Sequence, residues 1–558
     1  MVRKPRISAE SFRRLQAVRQ GLEAQRSPLI GYYKKIAEMF SPSVCDWSGA
    51  APSSFTVPDV SALYNNTGYK ASLLLTDGIQ GYGFSRRDTW FREEIDDEEL
   101  MEHEPVGEWL QALERHKYRQ YAASNFYDEA RLLTMCVADF ASGVMVARED
   151  WARGLTRYET LHPATYLLDD DDMGYCAVLF RDFWLTAHAA RARFGEDALP
   201  TQIRSALEGA SSQYFKFTQV TMPKEQYDLD IGLRETRGKP IYSLIFAAID
   251  EHNPISEGGY EVQNWWGWRW SRALNGGPYG VDSPGMIELP NARQVNGMTR
   301  EYATLVERLA EPPIKSTPGL FGKINLKPNG ITCLDQGEDY VPAMVAGNPQ
   351  GLAEYISLRE RGIQESYHED FFLILTQAIE AQKTAAEVYG VQGEKAALLS
   401  AFFGRMDCEF LQPAHDYQTY TELTSGRFDM PVPEELKGKV LRPSMVSPLA
   451  MIQRRYLSFE PTKAALAEIL PLAQINPDVM LPLDLEQYVR IVADSHNMDR
   501  RVLYDIAQVE KMKKARAEKL AKAEMLAEAQ AKAGALKDSA SAAQGFAQAQ
   551  ATGQGGVA

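Results

Sequence analysis

The sequence predicts an α+β chain that is predominantly α, and three successive textures predict it. Helical spacing fills the first quarter, short β-prone runs separated by turn residues fill the middle, and long apolar seams spaced three and four residues apart follow Pro290. With 558 residues, 45% of them hydrophobic and 24% charged, the chain has enough apolar side chains to pack most of itself into cores.

The first helix is expected over Ser11–Met39 and stops at Ser41-Pro42, where a Gly/Ser/Pro stretch runs to Pro58. A second covers Leu63–Tyr82 on a stripe of Leu73, Leu74, Leu75 and Ile79, and Trp90-Phe91 closes the unit. Glu108–Ala123 and Tyr127–Val137 complete the helical quarter. Gly143–Ala147, Thr156–His162, Tyr166–Leu168 and Cys176–Phe183 then read as strands of a small sheet, joined by the longer runs Phe215–Met222 and Pro240–Ile249. A helix over Leu185–Phe194 interrupts them and ends at Gly195.

From Pro290, the positions of Val295, Met298, Tyr302, Leu305 and Leu309 form one seam. Asn291–Glu311 makes a rod of roughly 30 Å, stopped by Pro312-Pro313. A compact Gly/Pro-rich segment reaches Gln350, with short β-prone pieces around Ile324 and Ile331, and a second long helix begins at Gly351 with Leu352, Ile356, Ile363, Tyr367 and Phe371. Gln377–Lys383 is a polar break, and Thr384-Ala385-Ala386-Glu387 has the form of a capping box. The helix it opens carries Val388, Val391, Leu398, Phe402, Met406 and Phe410 and is expected to end at Pro413. Val432–Tyr504 reads as shorter helices bounded by prolines. Beyond Gln508 the Ala/Lys/Glu composition suits a solvated helix, and the last twenty-odd residues read as disordered low-complexity chain.

A formal charge of −15, from 75 acidic and 60 basic residues, argues against a protein that grips nucleic acid over a broad basic face. It is compatible with a polymer sliding past, because each neutralised phosphate adds affinity and hence friction. The five cysteines, Cys45, Cys136, Cys176, Cys333 and Cys408, lack any zinc or CxxC spacing and read as buried free thiols. The longest apolar run, Ile241–Ile249, is too short to cross a membrane, so assembly in a cytoplasm is expected.

Catalytic signatures fail on their own spacing. Gly319-Leu320-Phe321-Gly322-Lys323 has too few residues between its glycines for a phosphate loop, and Gly393-Glu394-Lys395 lacks the following Ser or Thr. His368-Glu369 is not followed by a metal-binding spacing, and the eight histidines suggest no metal cluster. Asp169-Asp170-Asp171-Asp172 has two readings: a divalent-cation site of a nuclease, or, preferred, an exposed turn whose carboxylates diverge. The run Glu93–Glu99 reads as a solvated surface or helix start. Trp265, Trp266, Trp268 and Trp270 could stack bases, but a core or subunit-contact strand suits them better. No catalytic residue, cofactor or metal is expected.

Several runs, taken in order, resemble the head-to-tail connector or portal proteins of short-tailed phages, over about residues 10–425. They are Asn65-Asn66-Thr67-Gly68-Tyr69-Lys70-Ala71 leading to Trp90-Phe91; Phe180-Arg181 with Thr186 and Phe194-Gly195; Arg269-Trp270, Gly277-Pro278-Tyr279-Gly280, Leu289-Pro290 and Asn296; and Thr384-Ala385-Ala386-Glu387-Val388 with Glu394, Arg405, Glu409 and Pro413. Pro312-Pro313, entering the irregular segment, fits as well.

The resemblance implies an architecture: N-terminal helices and an α/β wing over 1–290, a stem helix over 291–311, a small α/β clip over 312–350 and a second stem helix over 351–372. A tunnel-loop region over 373–383, including Gln377, Glu380, Gln382 and Lys383, precedes a long wing helix over 384–425, a helical crown over 426–507 and a tail over 508–558. It also implies a ring, expected to be a dodecamer, at the capsid vertex, through which double-stranded DNA is packaged and ejected. The implied partners are the major capsid protein, the scaffolding protein, the terminase large subunit and the tail adaptor or tail tube proteins. A stem seam that one subunit cannot bury alone favours such a ring independently. The lumen is expected to be largely acidic, with Lys315, Lys323 and Lys327 of the clip as transient contacts to DNA or to acidic partner surfaces. The rival readings are a metal-dependent nuclease using Asp169–Asp172 and a non-portal virion scaffold or core protein.

Overall fold

The computed structural model describes residues 7–47, 49, 57–101, 103–209, 213–224, 238–274, 276–310, 314–316, 340–342, 349–372, 400–446, 460–475, 482–495, 504 and 506–552. In chain order they form α1 (Ala9–Phe40), α2 (Thr67–Gly83), β1 (Phe91–Ile95), α3 (Glu98–Met101), α4 (Glu104–Ala123), α5 (Phe126–Phe140), β2 (Ser142–Asp150), β3 (Leu155–Thr160), β4 (Tyr166–Asp170), β5 (Cys176–Thr186), α6 (Ala187–Phe194) and α7 (Thr201–Ser205). There follow β6 (Tyr214–Pro223), β7 (Ile241–Ala247), β8 (Asp250–Tyr260), β9 (Trp265–Arg269), α8 (Pro284–Ala310), β10 (Ile314–Ser316), β11 (Tyr340–Pro342), α9 (Pro349–Ser366) and α10 (Ser400–Arg405). A π-helical turn, Met406–Leu411, joins α10 to α11 (Gln412–Thr424), and β12 (Leu441–Met445), α12 (Glu460–Ile475), α13 (Leu485–Ser495) and α14 (Ile506–Thr552) complete the described chain. The mixed, mainly helical class predicted from the sequence is the one observed.

An antiparallel five-stranded sheet, ordered β4-β5-β6-β7-β8, is buried on both faces. Its alternation is strict: Val178, Phe180, Val220, Met222, Tyr242, Leu244 and Phe246 face α1, packing on Leu15 and Leu22. The odd-numbered Phe183, Phe215, Phe217, Ile245 and Ala247 face α6 and α7. Double burial is why these strands read as near-continuous apolar runs. The edge strand β8 was not anticipated, because its polar sequence holds Pro254 and its pairing with β7 shifts register twice, features that belong at an edge.

The largest core gathers the second half of α1 (Tyr33, Ile36, Ala37, Phe40) with α2, α5, the wide tryptophan strand β9 and the adjoining ends of α8 and α9. β9 lies in a three-stranded sheet, β3-β2-β9. Trp265, Trp266 and Trp268 are buried, and Trp268 stacks on Phe410 with centroids 5.7 Å apart. The tryptophan run is thus core.

Several expected boundaries are corrected. α2 starts at Thr67, not Leu63, since the amides of Tyr64 and Asn65 are engaged by Asn296 and the Thr67 amide by the Asn65 side chain. The acidic run after Phe91 is partly strand: β1 pairs antiparallel with β12, a partner some 350 positions away that no local pattern reveals. For the same reason 441–445 is strand within a region read as helical. The first long helix begins at Pro284, capped by Ser283, and contains Pro290. Proline has no N–H to offer the Met286 carbonyl, and Tyr32 of α1 donates its hydroxyl there instead, at 2.7 Å.

The second long helix ends at Ser366 rather than Phe372; Tyr367-His368 forms a turn, His368 is left-handed at φ 53°, and 369–372 are helical again. The helix expected to stop at Pro413 instead continues to Thr424, because Pro413 follows the π-helical turn, where the regular α-helical ladder is already broken and its missing N–H costs little. The tail, read as disordered at its end, is helical to Thr552, as its Ala, Lys, Glu and Gln favour. Cys136 and Cys176 are buried thiols as expected, whereas Cys408 is exposed. The capping box at Thr384, the pieces around Ile324 and Ile331, and Cys333 lie outside the described residues.

Candidate functional site

Helices α8 and α9 run antiparallel. Ser366 donates to Glu288 at 2.6 Å, and Asn291 reaches the Arg359 carbonyl at 3.2 Å. Of the expected seam, Val295, Ile356, Ile363 and Tyr367 are buried, and Met298, Tyr302 and Leu352 pack partly against the main core. Leu305 is half-buried and Leu309 is 46% exposed, so the seam opens away from the core. Leu358, 62% exposed, adds apolar surface on α9.

The core-side ends of both helices meet at Asp139, on the last turn of α5. Its carbonyl accepts from Ser283 Oγ at 3.0 Å, fixing the start of α8. Its carboxylate accepts from Tyr367 Oη at 2.9 Å, fixing the end of α9, and from Ser72 of α2 at 2.9 and 3.0 Å. Gly285 is required at this junction, since a Cβ there would stand 2.5 Å from the Asp139 carbonyl oxygen. Burial pushes the Asp139 carboxyl up to about 6, against the lowering effect of the Ser72 and Tyr367 hydroxyls.

The segment ahead of α2 ties the same helix pair together further along. Asn296 accepts from the Tyr64 and Asn65 amides at 2.7 and 3.0 Å and donates to the Ala62 carbonyl at 2.9 Å. Asn65 in turn donates to Glu360 of α9 at 2.6 Å. Two residues quoted for the family resemblance, Asn65 and Asn296, are therefore partners in one knot.

A second group of quoted residues converges on Arg269. Its Nε and Nη2 lie 3.1 and 2.7 Å from Glu409 Oε1, its amide donates to Glu409 Oε2 at 2.9 Å, and Arg405 approaches the same carboxylate at 3.3 Å. Nη1 reaches Asp170 at 2.9 Å and Nη2 the Gly174 carbonyl at 3.0 Å. Asp170 is thus not an exposed turn residue, as the reading of the aspartate run had it, but a partly buried anchor at the end of β4, while Asp171 closes its turn by accepting the Met173 and Tyr175 amides.

Four residues beyond the π turn, at His415, a third anchor holds α11. Lys117 of α4 is fully buried, with Nζ 2.7 Å from Glu93 Oε1, 2.7 Å from His415 Nδ1 and in contact with the Thr419 hydroxyl. Nδ1 accepts from the ammonium, so the imidazole proton sits on Nε2, 3.3 Å from Glu93 Oε1. Burial, then Lys117, holds the His415 pKa well below its usual value. Burial lowers Lys117 too, opposed by Glu93. Glu93 is accordingly an interior residue, which corrects the solvated reading of its run.

These polar groups are enclosed and fix helices against sheets, although Glu93 Oε2 and His415 Nε2 find no hydrogen-bond partner among the described residues. Among the described residues, no group of three or more His, Cys, Asp or Glu is placed to hold a metal ion, and no helix is long and apolar enough to cross a membrane. Lys315 lies on β10, paired with Val341 on β11. Lys323, Lys327, Gln377, Glu380, Gln382 and Lys383 lie outside the described residues. Sequence reasoning missed Asp139, whose signal was a lone carboxylate in the apolar run Leu132–Phe140, and Lys117, which carried none.

The chain matches the family model described as "Bacteriophage head to tail connecting protein" over residues 13–504. It is 25% identical over 537 residues to the "Probable portal protein" of Bordetella phage BPP-1, covering 92% of each chain. To the "Portal protein" of Salmonella phage epsilon15 it is 24% identical over 497 residues, covering 88% of this chain and 84% of that one. A solved structure, "Neck of empty GTA particle computed with C6 symmetry", superposes with a TM-score of 0.28 at 12% identity, covering 67% of this chain and 89% of its own.

Proposed function

The chain belongs to the bacteriophage head-to-tail connecting protein family and functions as a portal protein, and from this we propose that it assembles as a dodecameric ring at one capsid vertex. The match over residues 13–504 carries the reading. What supports a ring in physical terms is the seam: Leu305, Leu309 and Leu358 leave apolar surface that a neighbouring copy would cover.

In this reading α8 and α9 are the stem, 312–350 the clip, 373–383 the tunnel-loop region, 384–425 the long wing helix and 426–507 the crown. The five-stranded sheet with α6 and α7 belongs to the wing, and α14 extends from the crown. Double-stranded DNA passes through the ring without sequence recognition, guided by a largely acidic lumen. The ring is built in the host cytoplasm with scaffolding and major capsid proteins, docks the terminase large subunit during packaging and receives the tail adaptor or tail tube proteins afterwards. The protein acts mechanically, with no catalytic step of its own; engagement of Asp170 by Arg269 supports this over a nuclease at the aspartate run.

Light scattering on the purified chain tests assembly: a mass of twelve copies is expected, and a monomer mass overturns the ring. For the clip, replacing Lys315, Lys323 and Lys327 together by Glu is expected to impair terminase docking or DNA packaging; both remaining intact removes their assigned role.

A further inference from the structure

Arg148 on β2 lies directly opposite Arg157 on β3 in the antiparallel register. Like charges so placed repel across a strand pair. Beside this hairpin, Arg181 of β5 and Arg193 of α6 share the ring of Phe183, their guanidinium carbons 5.4 and 4.7 Å from its centroid. Arg181 is buried and ion-paired with Glu159, which projects from the same face of β3 as Arg157. That pairing joins the two arginine pairs into one patch.

Among the described residues, no carboxylate pairs with Arg148, Arg157 or Arg193. Arg193 registers the crowding: burial, then the charges of Arg148 and Arg181, push its guanidinium down to about 10. Four guanidiniums against the one Glu159 carboxylate, itself 58% exposed, are a local cation surplus in a chain of net charge −15. Arg148 and Arg157 are exposed, so packing does not explain them. An external polyanion would relieve the repulsion.

We propose that the exposed Arg148 and Arg157, with the charges of Arg181 and Arg193 behind them, form a docking patch for the phosphodiester backbone of double-stranded nucleic acid, separate from the clip lysines. The proposal rests on the portal reading only in that this reading brings the polymer to the protein. Charge density favours phosphodiester over protein carboxylates, since a duplex presents one negative charge per about 1.7 Å of axis. Phe183 is buried, stacked on Phe217 and approached by two guanidiniums, which leaves no free aromatic face there for an unpaired base. Contact is therefore with the backbone and independent of sequence.

The test uses purified full-length protein and a fluorescein-labelled random duplex of about 30 base pairs, with affinity read by anisotropy between about 50 and 200 mM salt. The double variant R148Q/R157Q alters only exposed side chains. Losing two phosphate contacts flattens the salt slope by about 1.8, so the wild type should lose roughly tenfold more affinity than the variant across that range. R148K/R157K, which keeps the charge, should restore the slope. Unchanged slopes in R148Q/R157Q overturn the proposal. So does tighter binding of polyglutamate than of the duplex, which marks a carboxylate partner, or loss of ring assembly in the variant, which marks a contact between copies. Particle images from the same samples report separately on the portal reading.

Discussion

Tyr367, where α9 ends, donates its hydroxyl to the carboxylate of Asp139 at 2.9 Å, while the main-chain carbonyl of Asp139 accepts from Ser283 at the start of α8. One residue of α5 thus fixes both long helices where they enter the main core. The next residue, His368, is left-handed, a conformation that costs a non-glycine residue roughly 1–2 kcal/mol. Burial of Tyr367, Phe371 and Phe372 on either side holds it there.

Removing the Tyr367 hydroxyl tests the junction. Y367F should lower unfolding free energy by about 1–3 kcal/mol, because a buried carboxylate loses one of its donors. Urea titration measures it, and a change within about 0.5 kcal/mol, the range of a neutral surface substitution, shows the bond to be dispensable.

Asp139 also gives a pH signature with a definite sign. Its carboxyl is raised from 3.8 to about 6 in the folded chain, so the native state binds the proton more tightly than the unfolded state. Its contribution is therefore greatest below pH 4 and declines as pH rises through 6, by about 3 kcal/mol in all. His415, depressed, acts oppositely and loses stability as pH falls below 6.5. The stability difference between wild type and D139N isolates the first effect: it should shift by about 2.4 kcal/mol from pH 4 to pH 7, and a flat difference contradicts it.

The Arg269–Glu409 pair is a buried ion pair, so breaking one side should cost more than removing both. E409A should destabilise by about 3–5 kcal/mol, since the buried guanidinium keeps only Asp170 and the Gly174 carbonyl, and R269M/E409L/D170L, which removes all three charges, by less. Calorimetry of wild type and the two variants decides, and a combined variant at least as destabilised as E409A counts against coupling.

Pro290 and Tyr32 should be coupled as well. Y32F should cost about 0.5–1.5 kcal/mol, and less in a P290A background, where an alanine amide supplies the Met286 carbonyl. Equal costs in both backgrounds contradict the substitution of a hydroxyl for a missing amide.

The pattern of legibility follows from range. Periodicity located the seam of α8 and α9, most strands of the five-stranded sheet and the tryptophan strand, since each is written in neighbouring residues; it did not show that β2 and β3 belong to a separate sheet. It could not locate β1 against β12, whose register joins Phe91 to Met445, nor the burial of Glu93, which depends on Lys117 and His415 arriving from two other helices. Pro413 was misread as a stop because a proline following a π turn and a proline ending a helix look alike in one dimension. Arg269, Arg405 and Glu409 were visible as quoted motif residues, but that they share one carboxylate required the fold.

Subunits closed into a ring around a channel are recognisable from above, so top-view images of the purified full-length chain decide whether the proposed assembly forms. Class averages should show closed rings of twelve copies with a central hole. Isolated monomers, or open filaments without a hole, would contradict the account.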